Sequence, residues 1–179
     1  MTMHHIASGI ANGSNAITFS NIPQTFTHLQ LKVYGRSTWT GGSSSNVYVT
    51  VNGNSTTTNY AAHALYGTGS SAAAQAFTSS SGIGYYVAYW AFPTATASAN
   101  IFGSLVMDIF DYTNTSKNKV AKMLYGNDRN GSGVVGVGSS LFMQTGAITS
   151  LTIGADILLT AGSRADLYGI TSNPISTGA

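Results

Sequence analysis

The sequence contains no cysteine. That excludes a disulfide framework, a zinc–thiolate site and a thiol nucleophile. Glutamate is missing too, and the acids are five aspartates: Asp108, Asp111, Asp128, Asp156 and Asp166. Without glutamate the commonest partner in acid/base pairs is gone, as are most carboxylate-rich metal cages. Only 7% of the residues are charged, against roughly 25% in an average domain. A long amphipathic surface helix needs charged or amide side chains on its wet face, and this chain has too few for several. No stretch approaches the roughly 18 apolar residues of a membrane-spanning helix. No basic segment followed by an apolar run opens the sequence, so no secretory signal is expected.

Hydrophobic residues make up 43% and aromatic residues 11%, enough to build a core despite the missing charge. The polar content is mostly Ser, Thr and Asn, with 21 glycines. The formal charge is +2, and it forms no basic stripe of the kind nucleic-acid binding requires. The nearest approach is Lys117, Lys119, Lys122 and Arg129, which reads as a guarded strand edge or a partner-facing patch.

Period-two alternation dominates the chain. In Thr27–Arg36, Leu29, Leu31 and Val33 face one way and His28, Gln30, Lys32 and Arg36 the other, the pattern of a half-buried strand. Val47–Val51 alternates into Asn52-Gly53, a hairpin signal. Residues 54–81 are the least regular part, with short helical turns as one option and a partner-contacting loop as the expected role. Ile101–Tyr112 is apolar on both faces and reads as a central strand. Ala161–Arg164 reads as a hairpin connection between Ile157–Thr160 and Ala165–Ile170. About eight or nine short strands without βαβ alternation predict an all-β fold, a jelly-roll-like antiparallel β-sandwich. The expected organisation is a flexible N-terminal arm over 1–15, the sandwich over 16–170 and a C-terminal tail over 171–179.

The chemical motifs have plain readings. Gly131-Ser132-Gly133-Val134-Val135-Gly136 fits a dinucleotide-binding pattern, but a strand pattern follows where the pyrophosphate needs a helix N-terminus. Asp108 and Asp111 offer oxygen ligands for calcium, yet three residues apart on a strand puts them on opposite faces. His4 and His5 are at most a weak chelating pair. Many serines allow a Ser/His/Asp triad to be drawn, but no nucleophile elbow marks one. No catalytic, metal or cofactor residues are therefore expected. Tyr85, Tyr86, Tyr89 and Trp90 form the densest aromatic group, which glycan-contacting surfaces and cores both use. The candidate partner-contact surface comprises Tyr60, His63, Tyr66, Tyr85, Trp90, Lys117 and Lys119.

Several segments carry a resemblance. Asn21-Ile22-Pro23-Gln24-Thr25-Phe26-Thr27-His28-Leu29-Gln30-Leu31 resembles the opening strand pair of small virion structural proteins of tailed bacteriophages. Asn59–Gly67 and Asp108–Thr115 with Lys119 look like their later recurring segments, and Gly162–Ile170 is similar to their Ser-x-x-x-Leu-Tyr-Gly-Ile close. The resemblance implies a non-enzymatic virion protein without a cofactor. Its first expected role is a capsid decoration (cement) protein on the head exterior. The expected partners are the major capsid protein or other virion proteins, within a homo-oligomer, with a trimer favoured. Neither nucleic acid nor membrane is an expected partner. The alternative is a tail or head fibre module that contacts host surface glycan.

Overall fold

The computed structural model describes residues 2–13, 16–77 and 86–172. They form twelve strands: β1 (Thr2–Ile10), β2 (Ile17–Phe19), β3 (His28–Gly35), β4 (Ser44–Val51), β5 (Tyr60–Gly67), β6 (Ala72–Phe77), β7 (Tyr86–Pro93), β8 (Gly103–Phe110), β9 (Lys119–Asp128), β10 (Gly133–Phe142), β11 (Leu151–Ala155) and β12 (Arg164–Thr171). An eight-stranded sheet runs β1-β12-β3-β8-β9-β10-β5-β6, and a four-stranded sheet runs β2-β11-β4-β7. Every pairing is antiparallel. Setting aside the β1/β12 pair at one edge and the inserted β9–β10 hairpin leaves β2-β11-β4-β7 over β3-β8-β5-β6. That is the strand order of a jelly roll, in which the chain alternates between two sheets.

The predicted alternation places the core. Leu29, Leu31 and Val33 on β3 meet Ile109, Met107 and Leu105 on β8 in register, and all six are at least 97% buried. Val47, Val49 and Val51 on β4 lie across from Ala155, Ile153 and Leu151 on β11. The two inner faces interdigitate as sandwich sheets do, and each such Leu or Val contributes roughly 1.5–3 kcal/mol on burial. Strand β7 comes closest to the large sheet, where a Cβ on Gly103 would collide with the Ala91 carbonyl.

Four expectations change. The arm expected over 1–15 is instead edge strand along Thr2–Ile10, paired with β12. The irregular region 54–81 contains β5 and β6 and a short 3-10 turn at Thr57–Asn59; residues 78–85 lie outside the described part. Asn52 and Gly53 both have the positive φ of a tight hairpin turn (51° and 65°), but β4 and β5 belong to different sheets. The Asn52 side chain explains this. Its Oδ1 accepts from the N–H groups of Thr149 and Ser150 (2.8 and 3.1 Å), and its Nδ2 donates to the Ala147 carbonyl (2.9 Å). The turn is thereby tied to the loop before β11, and the chain crosses between sheets. Likewise, Ala161–Arg164 leads from the small sheet into β12, and Ile157–Thr160 forms only an isolated bridge from Leu159 to Ser37.

Two cations expected on wet faces are buried. The Arg36 guanidinium donates to the carbonyls of Ser98, Ile101, Ala97 and Ala95. Lys119 is fully buried, and its Nζ donates to the carbonyls of Asn114, Lys117 and Thr145. With so few acids in the chain, backbone carbonyls satisfy these cations and pin the loops around them. Burial holds the Lys119 ammonium below the usual lysine range, and the nearby Asp111 opposes that shift.

Candidate functional site

The outward face of the large sheet is apolar where five strands lie side by side. Reading across the strands, Ala74, Leu65, Val137, Leu124 and Val106 stand in one cross-strand row. Leu65 and Leu124 are each 57% exposed and Val137 49%. Val135, Val120 and Phe110 are exposed on the same face. The neighbouring row reads Ala76, His63, Ser139, Lys122 and Asp108, so polar residues border the leucines. A shallow basin of ≈630 Å³ opens between Leu65, Ala74, Lys122 and Val137. Strand β6 forms this edge of the sheet, and Ala72–Ala76 are exposed, with neither charge nor proline. Among the described residues no strand pairs with its outer side, and no charge or proline there guards it against pairing with another chain.

At the end of the sandwich that carries the β9–β10 turn, Trp39, Trp90 and Arg129 line a second, smaller cleft of ≈280 Å³. An adjacent cleft of ≈540 Å³ holds Phe102 and Asp128.

Of the residues expected to form a contact surface, two are corrected. Tyr60 is 1% exposed. Its hydroxyl donates to the Asn54 carbonyl (2.8 Å) and accepts from the Val51 N–H (3.1 Å), and its ring packs on Phe142. Lys119 is the buried ammonium described above. Tyr85 lies outside the described residues. Lys117 is exposed and pairs with Asp111 at 3.2 Å, far from the others in role. His63 sits on the polar border of the outer face, and Tyr66 meets Trp90 edge-on at 5.6 Å between ring centroids. Among the described residues, the structure thus brings Tyr66 to Trp90, and Lys119 to the Lys117 carbonyl. Sequence reasoning missed Leu65, Leu124 and Val137, although the double-faced apolar pattern of Lys119–Tyr125 carried the signal. It also missed Trp39, which stands in a Gly/Ser loop without any periodic context.

The chemical motifs resolve into structure. Gly133 opens β10 and Gly136 lies within it. A Cβ on Gly136 would sit 2.5 Å from the Tyr125 ring, so this glycine makes room for an aromatic in the core. Burial pushes the Tyr125 hydroxyl up to about 12. Asp108 accepts from Gln30 Nε2 at 2.8 Å, whereas Asp111 closes the following turn, its backbone N–H donating to His28 Nδ1 at 3.0 Å. Among the described residues, no group of three metal-ligating side chains occurs.

Ser8, His5 and Asp166 do meet on β1 and β12, but in the wrong order for a hydrolase. His5 Nε2 and the Ser8 hydroxyl are 2.8 Å apart, and the Ser8 hydroxyl donates to Asp166. In a triad the acid orients the histidine; here it binds the serine. Arg164 grips Asp166 through Nε and NH2, and this hydrogen bonding holds the Asp166 carboxyl below its usual range. A carboxylate so stabilised is a weaker base.

No protein-family model, curated protein or solved structure matches this chain.

Proposed function

We propose that this chain is a non-enzymatic phage virion structural protein. Its role is that of a capsid decoration (cement) protein on the head exterior, stabilising the shell through protein–protein contacts. The observation that carries the reading is the exposed row Leu65–Val137–Leu124 beside the unguarded β6 edge. Five strands spaced by about 4.8 Å and eight residues rising about 3.3 Å each give a footprint on the order of 600 Å². The apolar row with Val135, Val120 and Phe110 takes up part of this footprint, and the row through His63 and Lys122 takes up the rest. The whole footprint approaches the roughly 800 Å² that each partner contributes to a stable interface. The polar border around the leucines matches the rim of such interfaces. The major capsid protein and further copies of this chain, in a trimer, are the partners this face would cover.

Copy number in purified virions, read from a quantitative protein gel, tests the proposal. Decoration requires on the order of hundreds of copies, in keeping with a symmetric shell; tens or fewer would sink it. The second reading, a fibre module that contacts host glycan, is favoured by one observation, the cleft that holds both tryptophans.

A further inference from the structure

Trp39 and Trp90 are the chain's two tryptophans, and they line one cleft together with Arg129, Thr68, Ser44 and Ser132. We infer that this cleft binds a single acidic sugar residue, its ring against indole and its carboxylate on the Arg129 guanidinium. The site is independent of the decoration reading, since shell and fibre proteins alike could carry it.

Trp90 is held in place by an unusual backbone. Ser45 pairs with Phe92 and Val47 with Ala88, so Asn46 alone faces Tyr89, Trp90 and Ala91. This bulge leaves Trp90 without a one-to-one partner on β4, and bulges re-aim side chains beside functional sites. The φ of Trp90 is 57°, a left-handed conformation that bulky residues seldom adopt. Two side chains pin it there. Asn46 Oδ1 accepts from the Trp90 N–H at 3.0 Å, and Asn127 Nδ2 donates to the Trp90 carbonyl at 2.8 Å. Asn46 is itself anchored, its N–H donating to Asp156 Oδ2 at 2.8 Å. The indole stacks on Tyr89 with centroids 4.5 Å apart and planes 19° apart. Strain maintained by this many partners is a mark of function. Trp39 lies close over the loop backbone, where a Cβ on Gly41 would come within 2.8 Å of its indole.

Arg129 supplies the polarity. Its Nε is buried without a hydrogen-bond partner. No carboxylate pairs with its guanidinium among the described residues, whereas Lys117 and Arg164 each pair with an aspartate. Arg36 and Lys119 are satisfied by carbonyls. Ser44 Oγ, also at the cleft, is buried and unpartnered. The nearest carboxylate along the chain, Asp128, lines the adjacent cleft and accepts from the Asn130 N–H. A guanidinium with unmet donors suits a planar carboxylate. Aromatic walls and hydroxyl groups suit a sugar ring. One cation is too few for a polyphosphate backbone, whose binding neutralises many charges. The ≈280 Å³ lies just below the roughly 300 Å³ at which drug-sized pockets begin, room for one ring.

Because both indoles line the cleft, tryptophan fluorescence of the full chain reports directly on it. Titration with D-glucuronate or N-acetylneuraminate should give a saturable change with Kd on the order of 1 mM. Binding of D-glucose should be about tenfold weaker, through loss of the charge-assisted hydrogen bonds. Inorganic phosphate should give no change. Arg129→Gln should erase the preference for the acidic sugars, and Trp39→Ala should abolish binding of all of them by ligand-observed NMR. The inference is overturned by the absence of any saturable response to the acidic sugars, or by equal affinity for glucose. It is likewise overturned by a phosphate response of equal strength, or by a preference that survives Arg129→Gln.

Discussion

The two sheets turn very different faces outward. On the small sheet, Thr18, Thr152 and Thr50 stand side by side across three strands, and the hydroxyls of Thr18 and Thr152 bond at 3.1 Å. Tyr48, next along β4, gives its hydroxyl proton to Asp156. On the large sheet the equivalent central positions are Leu65, Val137, Leu124 and Val106. The chain is rich in hydroxyl residues and uses them to wet one outer face. The leucines on the other are therefore not a by-product of composition. One face is finished with hydroxyls, and the other leaves leucine and valine exposed.

The largest effect expected from probing this contrast comes from beneath the apolar face. Lys119→Met leaves the carbonyls of Asn114, Lys117 and Thr145 without their cation, at the start of the strand that carries Val120 and Leu124. The expected loss is about 1–3 kcal/mol, the cost of leaving buried carbonyls unpaired, measured by urea unfolding. A loss below about 1 kcal/mol would mean that the ammonium contributes no more than a surface ion. Next comes the face itself. Leu65→Lys with Leu124→Lys should lower incorporation into virions about 100-fold, while the free domain changes by no more than about 0.5 kcal/mol per site. Thr152→Lys on the other sheet should leave incorporation at the wild-type level. Equal effects from the two sheets would erase the contrast.

A smaller effect belongs to the Arg164–Asp166 pair at the far edge. The Asp166 carboxyl is held below its unfolded value of about 3.9. Its contribution is therefore fully present above that pH and is lost as the pH falls through the lowered folded value. Asp166→Asn should be less stable than wild type by at most about 1 kcal/mol at neutral pH, and the two should converge on acidification. A gap that persists at pH 2 would contradict this assignment. The smallest effect is expected from Thr152→Val, within about 0.5 kcal/mol in thermal unfolding, because that ladder is already served by water.

Much of the architecture was legible in alternation alone. Leu29, Leu31 and Val33 point inward as their spacing requires, and β8 is central as its two apolar faces indicated. Strands β5 and β6 were hidden because an alanine-rich run with Gly67 and Gly69 has weak local preference, and pairing with β10 decides it. Strand β1 has no alternation to read; its partner β12 creates it. Tyr60 and Lys119 resemble surface residues by type. Only the fold reveals the carbonyls that make their burial tolerable. Leu65 was hidden in the irregular segment 54–81, and Leu124 stands beside Met123 in a strand that is apolar on both faces. The cleft was invisible because Trp39 and Trp90 become neighbours only when β4 pairs with β7 and the Ala95 N–H bonds the Trp39 carbonyl.

The β1/β12 pairing has a consequence for synthesis. Thr2 lies opposite Thr171, and β12 separates β1 from β3. As the chain emerges from the ribosome, β2 to β11 can assemble while the β3 edge stays bare and β1 waits for a neighbour not yet made. Closing so long a loop is slow relative to local pairing. A translation-arrested intermediate that ends before Arg164 should therefore hold the jelly roll with two sticky margins, β3 and β6, and emergence of β12 would seal only the first.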